Sequence, residues 1–218
     1  MIELKQISKK YTEHTTVLNN IDLTIKKGEY IAIMGPSGAG KTTLMNIIGC
    51  IDSCTGGKYI LDGNDVSSYN DKEKARLRNE KFGFVVQDFG LISSMSVFQN
   101  IQIPLLYRKN KKGNQKEKIE EILKKLKLLD KINDNVNNLS GGQRQRVAIG
   151  RALVNSPDVI LADKPTGALD QATGKEVMDI FTELNNEGKT VIIVTHDEQV
   201  AKCCNKIIHV VDGKVKAM

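Results

Sequence analysis

Two short stretches hold residues that could do chemistry together. The first is GPSGAGKTT, residues 35–43, in which Gly35, Gly40, Lys41 and Thr42 fit the spacing G-x-x-x-x-G-K-[ST]. Glycines let backbone N–H groups wrap a phosphate chain, and a helix opening at this point adds positive potential. The candidate nucleotide-binding residues are therefore Gly35, Pro36, Ser37, Gly38, Ala39, Gly40, Lys41, Thr42 and Thr43. Lys41 has the reach for β- and γ-phosphates, and the Thr42 hydroxyl suits Mg²⁺. The second stretch is LADKPTGALD, residues 161–170. Its apolar approach, from Val159 to Ala162, delivers one carboxylate, Asp163, as the natural partner of that magnesium.

Such residues need a frame. The strand-like YIAIM precedes the glycine-rich loop and KTTLMNIIG follows it as a helix, which is the context a phosphate loop requires. Residues 1–34 alternate and predict strands at IELKQISKKY, VLNNIDLTI and EYIAIM, with Ile21, Leu23 and Ile25 on one face. KYILDG (58–63) predicts a short strand and turn, and FGFVVQ (82–87) a buried strand. Ile119, Ile122, Leu123, Leu126 and Leu129 recur at helical spacing, predicting an amphipathic helix over 115–129. DVILAD (158–163) and TVIIVT (190–195) are apolar and β-branched, as central parallel strands are, with a helix over 171–186 between them. KIIHVVDGKV (206–215) predicts a closing hairpin turning at Asp-Gly. Strands that alternate with helices give an α/β fold built on a parallel sheet.

Bulk properties bound the reading. At 218 residues the chain suits one sizeable domain with subdomains, and 40% hydrophobic and 27% charged residues are ordinary for a soluble globular protein. A net charge of +6 permits anionic partners, although a lysine-rich solvated surface is the simpler account of it. Cys50, Cys54, Cys203 and Cys204 lack zinc-finger spacing and read as reduced thiols of a cytosolic protein. The start of the chain does not look like a signal peptide, and no apolar run approaches the roughly 18 residues of a spanning helix. If the protein works at a membrane, other chains do the spanning. His14 and His209 carry no functional assignment, and the basic run RKNKKGNQKEK (108–118) reads as a solvated loop leading into a helix.

The most specific stretch is LSGGQRQRVAIGRAL, residues 139–153. With it the sequence resembles the nucleotide-binding domains of ABC transporters, over essentially all 218 residues and in the family's order. The resemblance implies a P-loop NTPase of RecA-like core with an antiparallel β subdomain and an α-helical signature subdomain. It is expected as a single domain, with the core at roughly 1–87 and 157–218 and the helical subdomain at roughly 88–156. It implies ATP and Mg²⁺ as cofactors. Gln87 matches the glutamine loop, which reaches the metal or the attacking water. Leu139, Ser140, Gly141, Gly142 and Gln143 match the signature, whose N–H groups and hydroxyl precede a helix and can bind an anion. Gly167, Ala168, Leu169 and Asp170 match the loop that crosses a dimer interface. Tyr11 sits where an aromatic ring stacks on adenine, although alone it is also an ordinary strand-end aromatic. His196 matches the switch histidine that contacts the γ-phosphate, although alone it also suits a satisfied core histidine.

In that family each signature caps the ATP held by a second copy, so an ATP-dependent head-to-tail homodimer is expected. LADKPTGALD, GFVVQDFGLISSMSVFQNIQIPL (83–105) and the short C-terminus look like the branch serving macrolide export, lipoprotein release and antimicrobial-peptide resistance. The resemblance implies membrane permease partners with an extracytoplasmic domain, a place on the cytoplasmic face of the membrane and no nucleic acid. The apolar LISSMSVF (91–98) is the expected permease contact.

One residue departs from the family pattern. The position after Asp163 is normally a glutamate that accepts the proton of the attacking water; here it is Lys164. An ammonium has no lone pair to accept that proton. ATP binding is therefore expected to be retained and hydrolysis to be impaired.

Overall fold

The computed structural model describes residues 1–12, 14–108 and 113–216. Two sheets organise them. The first is antiparallel and contains β1 (Ile2–Thr12), β2 (Thr15–Ile25), β4 (Gly56–Leu61) and β5 (Asn64–Asp65), in the order β2-β1-β4-β5. The second contains β3 (Tyr30–Met34), β6 (Phe82–Val85), β7 (Val159–Asp163), β8 (Thr190–Val194), β9 (Lys206–Val211) and β10 (Lys214–Lys216). Its order is β10-β9-β3-β8-β7-β6, and all pairs are parallel except β10 with β9. The helices are α1 (Lys41–Ile48), α2 (Asp71–Lys81), α3 (Val97–Leu106), α4 (Gln115–Lys125), α5 (Gly141–Leu153), α6 (Gln171–Asn186) and α7 (Glu198–Lys202).

The central strands are buried on both faces, which is why their sequences are continuously apolar rather than alternating. Period-two side-chain direction then splits them between two cores. Leu161, Ile192 and Val194 join α1 and the antiparallel sheet, while Ile160, Ala162, Val191 and Ile193 join α3, α4, α5 and α6. The parallel sheet is the wall between these cores. Asp212 and Gly213, both at positive φ, turn β9 into β10 as expected. Among the described residues, no helix is long and apolar enough to cross a membrane. All four cysteines are free, and burial pushes the Cys50 thiol up to about 11.

Several expectations need correction. The helix predicted over 115–129 stops at Lys125. Lys127 takes a positive φ, and the resulting bend buries Leu126 and Leu128 together, which a continuous helix would place on different faces. Leu129 instead opens a short 3-10 turn and is 41% exposed. The strand predicted over 82–87 ends at Val85, because β6 is the sheet edge among the described residues and its partner there, β7, pairs no further than Val85 with Ala162. Val86 and Gln87 are exposed beyond it. LISSMSVF is not a uniform apolar surface. Val97 is fully buried as the first residue of α3, and Ile92 is exposed. Buried Asn100 fixes this stretch by accepting from Ile92 N at 2.8 Å and donating to Ile92 O at 3.1 Å. Residues 109–112 of the basic run lie outside the described residues, and α4 starts at Gln115 behind an Asn114 cap.

Candidate functional site

The predicted residues gather where α/β sheets place ligands, beyond the carboxyl ends of neighbouring parallel strands. β3 ends in the phosphate loop, β8 leads to His196, β7 ends at Asp163 and β6 leads to Gln87. The loop begins at Gly35 with φ 147, and a Cβ there would lie 2.0 Å from the Val210 carbonyl oxygen of β9. Only glycine allows the chain to leave the sheet at that point. The Lys41 ammonium then folds against the loop, donating to Gly35 O at 2.8 Å and Pro36 O at 2.7 Å. A lysine has three such hydrogens, so one remains for an anion. Burial, and then the nearby Lys164 ammonium, lower the Lys41 pKa, while Asp163 opposes them.

Thr42, in the first turn of α1, donates its hydroxyl to Asp163 Oδ2 at 3.1 Å. The other carboxylate oxygen, Asp163 Oδ1, is buried and finds no hydrogen-bond partner among the described residues. A hydroxyl beside an unpaired buried carboxylate oxygen is a hard oxygen pair, and it fits Mg²⁺ held jointly by protein and phosphate. The described residues contain no cluster of three His, Cys, Asp or Glu side chains suited to a metal, so phosphate oxygens would have to complete the coordination.

Lys164 is held by its backbone rather than by its side chain. Its N–H donates to Val194 O of β8 at 2.8 Å, and its carbonyl accepts from Gly167 N at 3.0 Å. The backbone here has φ 43, in the left-handed region. The neighbouring Pro165 carbonyl accepts from Gln145 Nε2 of α5 at 2.7 Å, and Gln145 is fully buried. Sequence reasoning missed Gln145. Its signal was a polar residue on the otherwise apolar, buried side of α5. Gln87 is exposed, and its amide lies 3.8 Å from where a Cβ on Gly167 would stand. The turn after Gln87 is gripped by α5. Arg151 donates to the carbonyls of Phe89 and Gly90, and Arg144 lies 5.3 Å above the Phe89 ring. His196 is exposed two residues beyond Val194, which removes the core-histidine alternative.

Residues 139–143 lie beside the 167–170 loop and the start of α6. Leu139 is buried, and Ser140 caps α5 in a reciprocal box with Gln143, accepting from Gln143 N at 3.3 Å. Its hydroxyl hydrogen is not used in that bond and can still be donated. Among the described residues, no hydrogen bond joins 139–143 to the phosphate loop of the same chain. Gly142 has a packing role that the sequence did not suggest, since a Cβ there would lie 2.3 Å from Thr173 Cγ2. Close approach seats α5 against the start of α6 and the 167–170 loop, where Ala168 and Leu169 lie beside Gly141. Asp170 caps α6, accepting from Thr173 N at 3.0 Å and Thr173 Oγ1 at 2.7 Å, and these bonds hold its carboxyl below the usual range.

Tyr11, near the end of β1, is 56% exposed. Its hydroxyl donates to Asp52 Oδ2 at 2.9 Å, and Lys9 Nζ lies 4.7 Å from the ring centroid. A separate groove of about 460 Å³ runs between α2, β6, α3 and α5, lined by Arg78, Phe82, Val86, Pro104, Tyr107 and Arg151.

Known proteins are similar to this chain in sequence and fold. The profile of the ABC transporter family matches residues 18–167. The uncharacterized ABC transporter ATP-binding protein YknY of Bacillus subtilis is 50% identical over 218 residues, covering 99% of this chain and 95% of that protein. The macrolide export ATP-binding/permease protein MacB of Aggregatibacter actinomycetemcomitans is 44% identical over 99% of this chain, which spans 34% of that longer protein. Among solved structures, the dimeric ABC transporter cassette MJ0796 superposes with a TM-score of 0.91 at 44% identity, covering 100% of this chain and 97% of that one. The same cassette, solved as a dimer bound to ADP and Pi, superposes with a TM-score of 0.90.

Proposed function

The chain belongs to the ABC transporter family as an ATP-binding cassette of P-loop NTPase fold, and from that premise we propose that it powers a membrane export permease. The observation that supports this reading is the meeting of two strand ends, where the Thr42 hydroxyl beyond β3 lies 3.1 Å from Asp163 Oδ2 at the end of β7, next to Lys41. In this reading the 35–43 amides and the free hydrogen of Lys41 bind the triphosphate, and Thr42 and Asp163 hold Mg²⁺. The metal, when bound, neutralises charge on the phosphate oxygens. Gln87 and His196 face the terminal phosphate from the neighbouring strand ends, and the signature at 139–143 caps the nucleotide of a second copy. The chain would act as one domain, with the core at roughly 1–87 and 157–218 and the helical subdomain at roughly 88–156.

Lys164 occupies the position of the general base and holds a proton where one must be taken up. Nucleotide binding is retained in this reading and turnover is slow. Lys164 also favours a second reading, a nucleotide-gated scaffold that controls a membrane partner without hydrolysis. Export as the coupled process rests on the names of MacB and of the syringafactin export protein SyfD, 44% identical over this chain. The permease would carry an extracytoplasmic domain, and one of its cytoplasmic helices would seat in the groove beside Tyr107, placing the chain at the cytoplasmic face of the membrane. Calorimetric titration with MgATP and a phosphate-release assay test the nucleotide role. Lys41→Ala should abolish binding; unchanged affinity in that variant rejects the site.

A further inference from the structure

We propose that Lys9 and Asp52 are positioning residues that fix the Tyr11 ring as a one-sided platform for the base of a nucleotide. The inference rests on Tyr11 being the base-stacking residue and adds what makes it competent. Tyr11 is more than half exposed, so without tethers its ring would sample several rotamers and lose that freedom on stacking. Two contacts remove the freedom beforehand. The phenol donates to Asp52 Oδ2 at 2.9 Å, and the Lys9 ammonium covers one ring face at 4.7 Å. A cation over one face leaves the opposite face for a flat ligand.

The tethers are themselves rigid. Lys9 is buried, and its ammonium donates to Asp52 Oδ1 at 2.6 Å and Ser53 O at 2.8 Å. Asp52 Oδ1 also accepts from Ser53 N at 2.7 Å, so both carboxylate oxygens are engaged in holding this corner. The Asp52 backbone is anchored in turn, its N–H donating to Asn46 O of α1 at 3.1 Å. The helix that opens with Lys41 and Thr42 therefore also fixes, from its far end, the residue that holds Tyr11. Phosphate and base recognition share one rigid element.

The test compares ATP with inorganic tripolyphosphate, which has the phosphates and no base, by calorimetry on the whole chain with Mg²⁺. Base stacking on an aromatic ring is worth roughly tenfold in affinity. Tyr11→Ala should weaken ATP by about that factor and leave tripolyphosphate unchanged. Lys9→Met and Asp52→Asn should each weaken ATP by roughly three- to tenfold, again without effect on tripolyphosphate, and Tyr11→Phe, which keeps the ring but loses its tether, should lie between. Thermal unfolding midpoints identify any variant that has lost its fold, and Tyr11→Phe on the exposed side keeps the question open to measurement if Lys9→Met does not fold. If Tyr11→Ala discriminates while Asp52→Asn and Tyr11→Phe bind ATP normally, the platform stands and the positioning role is wrong. If Tyr11→Ala binds ATP normally, the platform itself is wrong. Equal losses for both ligands in Lys9→Met and Asp52→Asn would show that these residues serve only the fold.

Discussion

At the scale of single residues, the site sets the Asp163 carboxylate beside the Thr42 hydroxyl, with the Lys41 and Lys164 ammonium groups in its neighbourhood. Asp163 accepts from the Thr42 hydroxyl, and burial first, and then the Lys164 ammonium, lower the Lys41 pKa against the pull of Asp163. Binding an anionic triphosphate is favoured by that arrangement, whereas moving a proton off water is not. Lys164→Glu should therefore raise MgATP hydrolysis by roughly 10²–10⁴-fold, the usual worth of general-base assistance. ATP affinity should change much less, because it rests on Lys41 and the loop amides. A Mg²⁺ titration run on both forms separates two causes. A missing base gives the same Mg²⁺ midpoint and unequal turnover; a loosened metal shifts the midpoint of the lysine form, and high Mg²⁺ restores its rate. Equal turnover in both forms at ordinary Mg²⁺ would show that position 164 is not the base.

At the scale of elements, α5 is the part that ties the site together. It caps itself with Ser140, holds the Pro165 carbonyl through Gln145, grips the turn after Gln87 through Arg151 and lies on α6 at Gly142. Gly142→Ala would drive a methyl into Thr173, whose hydroxyl and N–H are both committed to Asp170. Overpacking of this kind costs about 1–3 kcal/mol, read as a lower urea midpoint. Thr173→Ser removes the offending methyl and should restore much of the loss in the double variant. A second element-level test is acid stability at the junction of β1 and α1. Burial works to raise the Asp52 pKa, but the Lys9 and Tyr11 hydrogen bonds outweigh it and hold the carboxyl below its ordinary 3.8. A depressed carboxylate stabilises the fold above its unfolded pKa, and that contribution is lost as pH falls through the folded value. Stability measured as pH falls below about 4 should thus decline more steeply in the parent than in Asp52→Asn; identical slopes would mean that Asp52 carries no such linkage.

At the scale of the whole molecule, the signature and the phosphate loop of one chain are served by different elements, with no hydrogen bond between them among the described residues. The related cassette MJ0796 is dimeric. MgATP is therefore expected to convert a monomer to a dimer in light scattering, and Ser140→Arg, which puts a bulky cation at the cap of α5, should block the dimer while leaving ATP bound to the monomer. A Ser140→Arg protein that still dimerises would place the interface elsewhere. The groove between α2, β6, α3 and α5 makes a second whole-molecule prediction. A cysteine at exposed Tyr107, which lines the groove, should crosslink to a permease in a functional complex, as should one at exposed Ile92 of the separate 91–98 stretch, and none should form from the buried Val97.

The sequence by itself determined the frame and where its candidate phosphate and metal residues stand on it. Gly35, Lys41, Thr42, Asp163 and the apolar runs of β3, β7 and β8 were legible because phosphate binding and two-sided strand burial each impose a local pattern. The α6 helix, at 171–186, coincided with its predicted span for the same reason, an uninterrupted amphipathic stretch behind an Asp170 cap. What only the tertiary structure decided lies where a residue's reason is a neighbour far along the chain. Leu129 continued a helical pattern, yet burying Leu126 and Leu128 against α5 and α3 ended the helix early. Gly142 read as an anion-binding residue, yet Thr173 of α6 dictates its size. Gln145 showed only as a polar residue on an apolar helix face and Asp52 had no local pattern, because what they hold, the Pro165 carbonyl and the Tyr11 hydroxyl, reaches them only through the packing of α5 on the 164–170 loop and of β1 on the end of α1.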